Sequence, residues 1–545
     1  MLRNVLFATV CGLALNGAAV AQDMPRLEKQ GTAAQLFVND KPFLMLGGEL
    51  GNSTASDPAH LATHWPTLTK AGLNTVLAPV EWDQIEPQQG RFDFSVIDAV
   101  IEQARANDTK LVLLWFGAWK NSMSTYAPAW IKHDAKTYSR ARDENGVAQD
   151  ILSAFDADNL AADKKAFAAL LAHLKTVDTD HTVVMIQVEN EIGMLPSARD
   201  HSSEADKAFK APVSPALMTA LQQRKSDLTP ELKALWDANG NKTKGTWAEV
   251  FGDTPAGREV FQAWGYAVFT NELTLAGKAA YPLPMYVNAA LNAPGKAPGQ
   301  YPSAGPLPHL LDIWKIGAPA VDLLAIDSYW PDFTGWARKF RRDDNPLFVP
   351  EANHAGKPEA AANAFFVFGE LDAMGFSPFS IEDLPENDPL IGAYAVLDQL
   401  TPLMIEHQGK TGDKRTMRGF KPPIAYDGTV DQTPQSFNLG SYRFTVTFVD
   451  PWTPKDKQTP ANHGGLIIQT GKDEFIVAGT GVTVTFADAS GKARVGMEQV
   501  IEGGFKDGLF LEGRWLNGDQ THQGRHLRLP LGQSSIQRLK LYRYD

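Results

Sequence analysis

The sequence predicts an α/β protein in which a (β/α)8 TIM barrel is followed by an all-β, sandwich-like C-terminal domain. Three observations lead to this fold class. The chain has 545 residues, which is too long for one compact core. Short apolar runs alternate with helix-like stretches between about residues 43 and 385. After about residue 390 the pattern changes to alternating or β-branched segments separated by Gly, Asp and Pro turns.

Eight apolar runs are the predicted barrel strands. Most carry β-branched or aromatic residues on consecutive positions, which is typical of strands buried on both faces. Amphipathic stretches such as residues 96–106 and 164–174 lie between them and are predicted as helices. Eight strand–helix units over this length are typical of a (β/α)8 barrel. The runs are residues 43–48, 74–79, 110–116, 183–188, 284–288, 323–327, 347–350 and 376–381.

The N-terminal segment has the pattern of a secretory signal peptide. Arg3 precedes an apolar run, and Ala19-Val20-Ala21 supplies a small-x-small cleavage site before Gln22. We therefore expect residues 1–21 to be removed and the protein to be periplasmic or secreted.

The remaining chain divides into a barrel and a β domain. We expect the barrel to span residues 22–395 and the β domain residues 396–545. A long, largely helical insertion at about 192–283 follows the fourth strand. Insertions at the carboxyl ends of barrel strands usually build the substrate pocket.

Composition argues against several kinds of partner. The formal net charge is −12 and no basic stripe is present, so nucleic acid is not an expected partner. No segment after residue 21 is apolar and long enough to span a membrane. Cys11 is the only cysteine, and the twelve histidines form no His-Glu-x-x-His motif. With no phosphate-binding loop either, we expect neither a metal nor a cofactor, and the acidic balance suits neutral substrates such as sugars.

Two of the predicted strands end on carboxylates. The fourth is followed by Glu189-Asn190-Glu191 and the seventh by Glu351. Barrel enzymes place their chemistry at this rim, where two carboxylates can flank one glycosidic bond. Retention of configuration needs them ~5–5.5 Å apart, and inversion needs ~6.5–9.5 Å. An exposed carboxylate after a strand would explain one instance, but two on these strands favour catalysis.

Residues 187–193, QVENEIG, resemble the acid/base motif of glycoside hydrolase family 35, the β-galactosidases of a large retaining barrel clan. The resemblance covers roughly residues 35–390. It implies that Asn190 binds the sugar 2-hydroxyl, that Glu191 is the acid/base and that Glu351 is the nucleophile. The C-terminal β domain is similar to one that accompanies a bacterial subgroup of this family.

A second similarity follows the second predicted strand. Residues 82–94, WDQIEPQQGRFDF, resemble a stretch shared by families 35 and 42. Pro87 and Gly90 are expected to build a turn, so a structural loop accounts for most of the stretch. Glu81 and Trp82 stand nearer the rim and are predicted to bind substrate.

The chain also departs from the family pattern. Family 35 members commonly carry an Asn-Ala-Glu trio after the third strand, where residues 115–121 read WFGAWKN, and a tyrosine where this chain has Pro79. Trp119 and Asn121 are predicted to replace the missing contacts by stacking and hydrogen bonding. The resemblance implies that Tyr329, after the sixth strand, hydrogen-bonds the nucleophile.

The predicted function is that of a retaining exo-β-glycosidase, a β-galactosidase acting on oligosaccharides from plant polysaccharides. The missing trio leaves open the same chemistry on a β-glucoside or an arabinoside. A non-catalytic carbohydrate-binding barrel is the alternative from another class, and the presence of both Glu191 and Glu351 argues against it. The sequence leaves the oligomeric state open.

Overall fold

The computed structural model of the protein describes residues 24–353 and 355–545. The predicted signal peptide, residues 1–21, lies outside the described residues. In chain order, the strands up to the end of the barrel are β1 (Arg26–Gln30), β2 (Ala33–Val38), β3 (Lys41–Phe43), β4 (Met45–Glu49), β5 (Thr75–Glu81), β6 (Lys110–Phe116), β7 (Arg140–Arg142), β8 (Ala148–Leu152), β9 (Val183–Gln187), β10 (Met285–Ala290), β11 (Leu323–Ser328), β12 (Val349–Ala352) and β13 (Gly375–Pro378).

Helices occupy most of the connections between these strands. They are α1 (Pro58–Ala62), α2 (Trp65–Lys70), α3 (Trp82–Ile85), α4 (Ser95–Ala106), α5 (Ala129–Lys132), α6 (Ala157–Val177), α7 (Ser203–Lys210), α8 (Pro215–Gln223), α9 (Pro230–Ala238), α10 (Trp247–Phe251), α11 (Pro255–Ala280), α12 (Leu311–Gly317), α13 (Phe333–Phe340), α14 (Ala360–Leu371) and α15 (Pro389–His407).

Eight parallel strands close into a barrel, in the order β4-β5-β6-β9-β10-β11-β12-β13, with β13 beside β4. Each of them overlaps one of the eight predicted runs, so the predicted barrel is confirmed. The strands are apolar on consecutive positions because one face lines the barrel and the other meets helices. Trp115 of β6, for example, packs on Phe167 of α6 with ring centroids 5.7 Å apart.

The long connection after β9 is helical, as predicted, and holds α7 to α11. Its last helix, α11, packs beside α6, and Phe155, just before α6, stacks on Phe261 of α11 with ring centroids 4.7 Å apart. The connection after β6 contains the small antiparallel pair β7–β8. Both connections therefore start at the carboxyl end of the barrel, where they can enclose a site.

The C-terminal part consists of two antiparallel sheets that share one apolar core. Phe420, Phe444, Val477 and Val484 come from both sheets and are fully buried in that core. The predicted boundary at 395/396 lies inside α15, which ends at His407. The strands are β14 (Met417–Phe420), β15 (Gln435–Leu439), β16 (Tyr442–Thr447), β17 (Gly464–Gln469), β18 (Glu474–Thr480), β19 (Val482–Asp488), β20 (Arg494–Lys506), β21 (Leu509–Trp515), β22 (Leu527–Leu529) and β23 (Ser535–Tyr544), in the orders β14-β17-β18-β23-β20-β21 and β15-β16-β19-β22.

Within residues 24–353 and 355–545, no helix is both long enough and apolar enough to cross a membrane.

Candidate active site

Four acidic side chains meet at the carboxyl ends of the barrel strands. Glu49 ends β4, Asp327 lies near the end of β11, Glu351 lies in β12, and Glu191 follows β9. All four are buried, with 6% or less of each residue exposed. Glu191, Asp327 and Glu351 each place one carboxylate oxygen within 4.8 Å of the other two. Because like charges this close and this buried disfavour joint ionisation, protons or a bound cation must neutralise part of the set.

The backbone after β9 decides which side chains enter this cluster. Glu189 and Glu191 both adopt left-handed conformations, with φ of 61° and 46°. Such backbone is uncommon for residues with a Cβ and persists only where the surroundings hold it. Here the Glu191 N–H donates to Asn288 Oδ1 (2.9 Å), and the Ser122 hydroxyl donates to the Glu191 carbonyl (2.6 Å). Simple strand alternation therefore does not describe this segment.

Glu191 points into the cluster and carries a proton at neutral pH. Burial first, and then the charge of Glu351, raise its pKa to about 8. Lys120, Asp327 and Asn121 act in the opposite direction. The Asn121 amide Nδ2 donates to Glu191 Oε2 at 2.6 Å, a hydrogen bond that favours the ionised carboxylate.

Glu351 receives hydrogen bonds from two directions. The Tyr329 hydroxyl donates to its Oε1. On the other side it is hydrogen-bonded to the Glu49 carboxyl group, whose pKa is raised well above the usual value by burial and then by the Glu351 charge. A protonated Glu49 can donate to the Glu351 carboxylate, so both neighbours stabilise negative charge on Glu351.

Asp327 completes the acid cluster beneath these residues. The Asn288 amide donates to its Oδ2, while burial and the charges of Glu351 and Glu191 raise its pKa well above the usual value. The three oxygens contributed by Asp327, Glu191 and Glu351 are close enough for a cation to bridge them. The raised pKa values of Asp327 and Glu191 show that protons alone can also neutralise the group.

Asn190 and Lys120 form a buried pair beside Glu191. The Lys120 ammonium donates to Asn190 Oδ1 at 2.9 Å and lies 4.7 Å from the centroid of the Phe116 ring. Asn190 Nδ2 is buried and has no hydrogen-bond partner among the described residues. A buried amide donor without a partner is costly, so the site has one donor that a bound ligand can satisfy.

The second glutamate of the motif, Glu189, points away from the acid cluster. It is hydrogen-bonded to Asp163 of α6, and burial followed by the Asp163 charge raises its pKa well above the usual value. Its Oε2 accepts the Trp119 backbone N–H at 2.9 Å. Trp115 Nε1 donates to Asp163 at 2.9 Å and completes the group. Glu189 therefore ties β9 to the loop after β6, outside the candidate site.

The structure brings together five of the predicted site residues and separates two aromatic ones. Five of them lie in or directly against the acid cluster: Glu191, Glu351, Asn190, Asn121 and Tyr329. Asn121, which was predicted to bind substrate, donates to the Glu191 carboxylate.

The predictions that Trp82 binds substrate and that Trp119 stacks on a sugar are wrong, because both rings are buried. Trp82 is fully buried in α3, where its Nε1 donates to Glu86 and its ring lies 6.3 Å from that of Trp115. The Trp119 ring is also fully buried, and packs edge-on against Tyr266 and Phe269 of α11. Neither ring exposes a face to which a ligand could bind, because both pack in the layer between the strands and the helices.

Glu81 has a different environment from the four clustered acids. It lines a small cavity with Val96 and Val100 of α4. Burial, and then the charge of Asp83, raise its pKa to about 7, while Lys132 acts in the opposite direction. Its predicted role in substrate binding stays a prediction.

Sequence reasoning missed Glu49, Asp327 and Lys120. Glu49 and Asp327 each close an apolar strand, which is the same signal that identified Glu191 and Glu351. That signal could have found both acids. Lys120 carried no such signal, because it lies in an irregular loop whose partner residues are 70 positions away.

Comparisons with known proteins match parts of the chain. Residues 54–249 match the family model of glycoside hydrolase family 42, described as beta-galactosidase, and residues 390–528 match a domain of unknown function, DUF5597. The first match includes Glu191 and ends before Glu351. Family 42 is a different family from family 35 in the same clan, so the resemblance to family 35 stays a prediction.

A beta-galactosidase from Xanthomonas manihotis is 32% identical over 215 residues, which are 38% of this chain and 33% of that protein. The chain thus spans about a third of the length of the curated relative it matches. Among solved structures, the beta-galactosidase of the psychrophilic Marinomonas ef1 aligns with a TM-score of 0.45 at 12% identity, over 66% of this chain and 60% of that one. The cold-adapted beta-galactosidase of Rahnella sp. R3 aligns with a TM-score of 0.44 at 16% identity, over 66% and 57%.

Proposed function

We propose that this protein is a retaining exo-β-glycosidase, and specifically a β-galactosidase that acts on oligosaccharides from plant polysaccharides. One observation carries the proposal. Glu191 and Glu351 face each other at the mouth of one barrel, with an oxygen of each within 4.8 Å of the other. One pair of oxygens this close is what two carboxyl groups at the retaining separation of ~5–5.5 Å would have, whereas inversion needs ~6.5–9.5 Å between the groups for an intervening water.

The environments of the two glutamates suit different roles. Glu191, whose pKa is about 8, holds a proton at neutral pH and is the acid. Glu351, hydrogen-bonded to Tyr329 and Glu49, is the nucleophile. In the first step a Glu351 oxygen attacks the anomeric carbon, the bond to the leaving oxygen breaks, and Glu191 transfers its proton to that oxygen. In the second, Glu191 removes a proton from water, whose oxygen displaces Glu351 from the sugar.

The unpartnered Asn190 Nδ2 supports sugar binding next to the bond that breaks. We assign it to the 2-hydroxyl, as the resemblance to family 35 implies. The partial match to a beta-galactosidase family model and the matching region of the Xanthomonas manihotis enzyme support galactose as the sugar. The missing Asn-Ala-Glu trio keeps a β-glucoside or an arabinoside as the second candidate. The leader-like residues 1–21 support a periplasmic or secreted location.

A panel of aryl glycosides tests the reaction and the sugar together. We expect hydrolysis of aryl β-galactosides, with the β-anomer of the product formed first as seen by NMR. Preferred hydrolysis of β-glucosides or arabinosides would overturn the assignment of galactose as the sugar. An α-anomer formed first would overturn the assignment of a retaining mechanism. Binding of these sugars without any hydrolysis would favour the non-catalytic alternative.

Two variants separate the roles of the glutamates. Glu351→Ala should be nearly inactive on every substrate, because the attacking carboxylate is gone. Glu191→Ala should still react with an aryl glycoside that has a good leaving group, and should accumulate the glycosyl-enzyme because its general base is missing. Glu102→Ala, an exposed glutamate on α4, is the matched control and should retain full activity.

Azide then distinguishes the two faces of the sugar. With Glu191→Ala, azide needs no deprotonation and should give a β-glycosyl azide. With Glu351→Ala, any rescue should give the α-azide, because azide then enters from the face that the nucleophile occupied. An α-azide from Glu191→Ala, or full activity of either variant, would contradict the assignment.

A further inference from the structure

Lys120 is a buried cation in a site dominated by acids. It is 6% exposed and lies in the loop after β6, where its backbone N–H donates to the Ser124 carbonyl at 2.9 Å. Its charge acts on both Glu49 and Glu191. Its ammonium donates a hydrogen bond to Asn190 Oδ1 at 2.9 Å, and among the described residues no other polar side chain accepts from it.

This contact determines which way the Asn190 amide faces. An ammonium group can only donate hydrogen bonds, whereas an amide has one accepting and one donating end. Lys120 therefore holds Asn190 Oδ1 toward itself and turns Nδ2 to the opposite side. Nδ2 is the buried donor that has no partner among the described residues.

The orientation matters because it decides whether the Asn190 amide offers a bound ligand a donor or an acceptor. A sugar hydroxyl has one O–H donor and two lone pairs, so when it donates a hydrogen bond to a carboxylate its oxygen can still accept one from a donor on the other side. Asn190 Nδ2 can be that donor, whereas a flipped amide would present a second acceptor. A flip would also leave Oδ1 and the hydroxyl oxygen facing each other without a proton between them.

We propose that Lys120 is a positioning residue that holds the Asn190 amide so that Nδ2 donates to one hydroxyl of the bound sugar. The proposal rests on the proposed glycosidase function. In this role Lys120 acts through Asn190 and affects the recognition of a single hydroxyl. This effect is separate from any general effect of the Lys120 charge on the four acids.

Lys120→Met tests the proposal, because methionine has a similar length but neither charge nor donors. Its kcat/KM is compared with that of the wild type on an aryl glycoside and on the four analogues that each lack one hydroxyl, at positions 2, 3, 4 and 6. A factor common to all five substrates reports the lost charge. We expect a further loss of about 10- to 100-fold on every sugar that keeps the hydroxyl bound by Asn190, and none on the analogue that lacks it.

Two further variants make the result specific. The double variant Lys120→Met/Asn190→Ala should show no more selectivity loss than Asn190→Ala alone, because both changes remove the same contact. Lys120→Arg keeps the charge and the donors and should retain selectivity for the hydroxyl. If Lys120→Met does not fold, Lys120→Arg still allows the selectivity for the hydroxyl to be measured.

An equal loss on all five substrates, or independent effects of Lys120→Met and Asn190→Ala, would overturn the proposal while leaving the glycosidase function intact. If the wild type hydrolysed none of the sugars, the glycosidase function would fail. Calorimetric binding of the same sugars would then decide the role of Lys120, by the same comparison of each deoxy analogue with its parent.

Discussion

Replacing Asn121 with alanine should move the alkaline limb of the pH–rate profile to higher pH. Asn121 Nδ2 donates to Glu191 Oε2 at 2.6 Å, and this hydrogen bond lowers the pKa of Glu191 from where burial and Glu351 would otherwise place it. In the proposed mechanism Glu191 must be protonated to act as the acid, so we expect activity to fall as the pH rises through its pKa of about 8. Without the amide the ionised form loses a donor, and the pKa rises further.

The size of the effect follows from the strength of the contact. A hydrogen bond to a charged group contributes roughly 1.5–3 kcal/mol, and one pH unit corresponds to about 1.36 kcal/mol. Since Asn121 is only half-buried, the lower end applies, and the limb should move up by about one pH unit. At pH 9 the protonated fraction of Glu191 would then rise from about 10% to about 50%, a fivefold gain relative to the plateau.

The assay is kcat/KM against pH on an aryl glycoside with a poor leaving group, for which protonation by the acid limits the rate. Each profile is normalised to its own plateau, so a general loss of activity does not affect the comparison. Ser122→Ala is the matched control, because its hydroxyl donates to the Glu191 carbonyl and not to the carboxylate. Its limb should stay in place. An unchanged or lowered limb for Asn121→Ala would show that the Asn121 amide does not set the pKa of Glu191, and so would an equal movement for Ser122→Ala.

Two further substitutions probe the nucleophile and the interface between the domains. Tyr329→Phe removes a donor to Glu351 and should lower kcat about 10- to 100-fold without changing the thermal midpoint; an undiminished kcat would mean that the hydroxyl does not stabilise the nucleophile. Glu370→Gln should destabilise the protein by about 1–3 kcal/mol in urea unfolding, because Glu370 is buried and pairs with Arg418 at 2.9 Å across the barrel–β-domain contact. Glu28→Gln, in an exposed ion pair, is its control, and equal effects of the two would contradict a buried pair.

Hydrophobic patterning was sufficient to predict the barrel. Strands buried on both faces are apolar on consecutive positions, and this local pattern identified all eight without knowledge of their partners. The same logic located Glu191 and Glu351, because a polar residue directly after a buried strand must lie at the rim. The resemblance to family 35 added Tyr329, and the structure places its hydroxyl on Glu351.

The predictions that did not hold depended on side-chain direction. Trp82 and Trp119 are each within a few residues of the rim, but both rings turn into the layer between strands and helices. The sequence contains no sign of this, since the residues that receive Trp119, Tyr266 and Phe269, come from a helix about 150 positions later. A large aromatic ring is more stable in such a core than at the mouth, because burial removes its whole surface from water.

By itself, then, the sequence determined the barrel, the β domain and two acids at the ends of the fourth and seventh strands, because these depend on local periodicity. Tertiary structure alone decided which groups surround those acids. Left-handed backbone at Glu189 and Glu191 sends one carboxyl group to Asp163 and the other into the cluster. Lys120 reaches that cluster only because the closed barrel places the loop after β6 beside the end of β9. The pKa of a carboxyl group depends on burial and on charges that are distant in the chain, so the raised pKa of Glu191 is a property of the folded site.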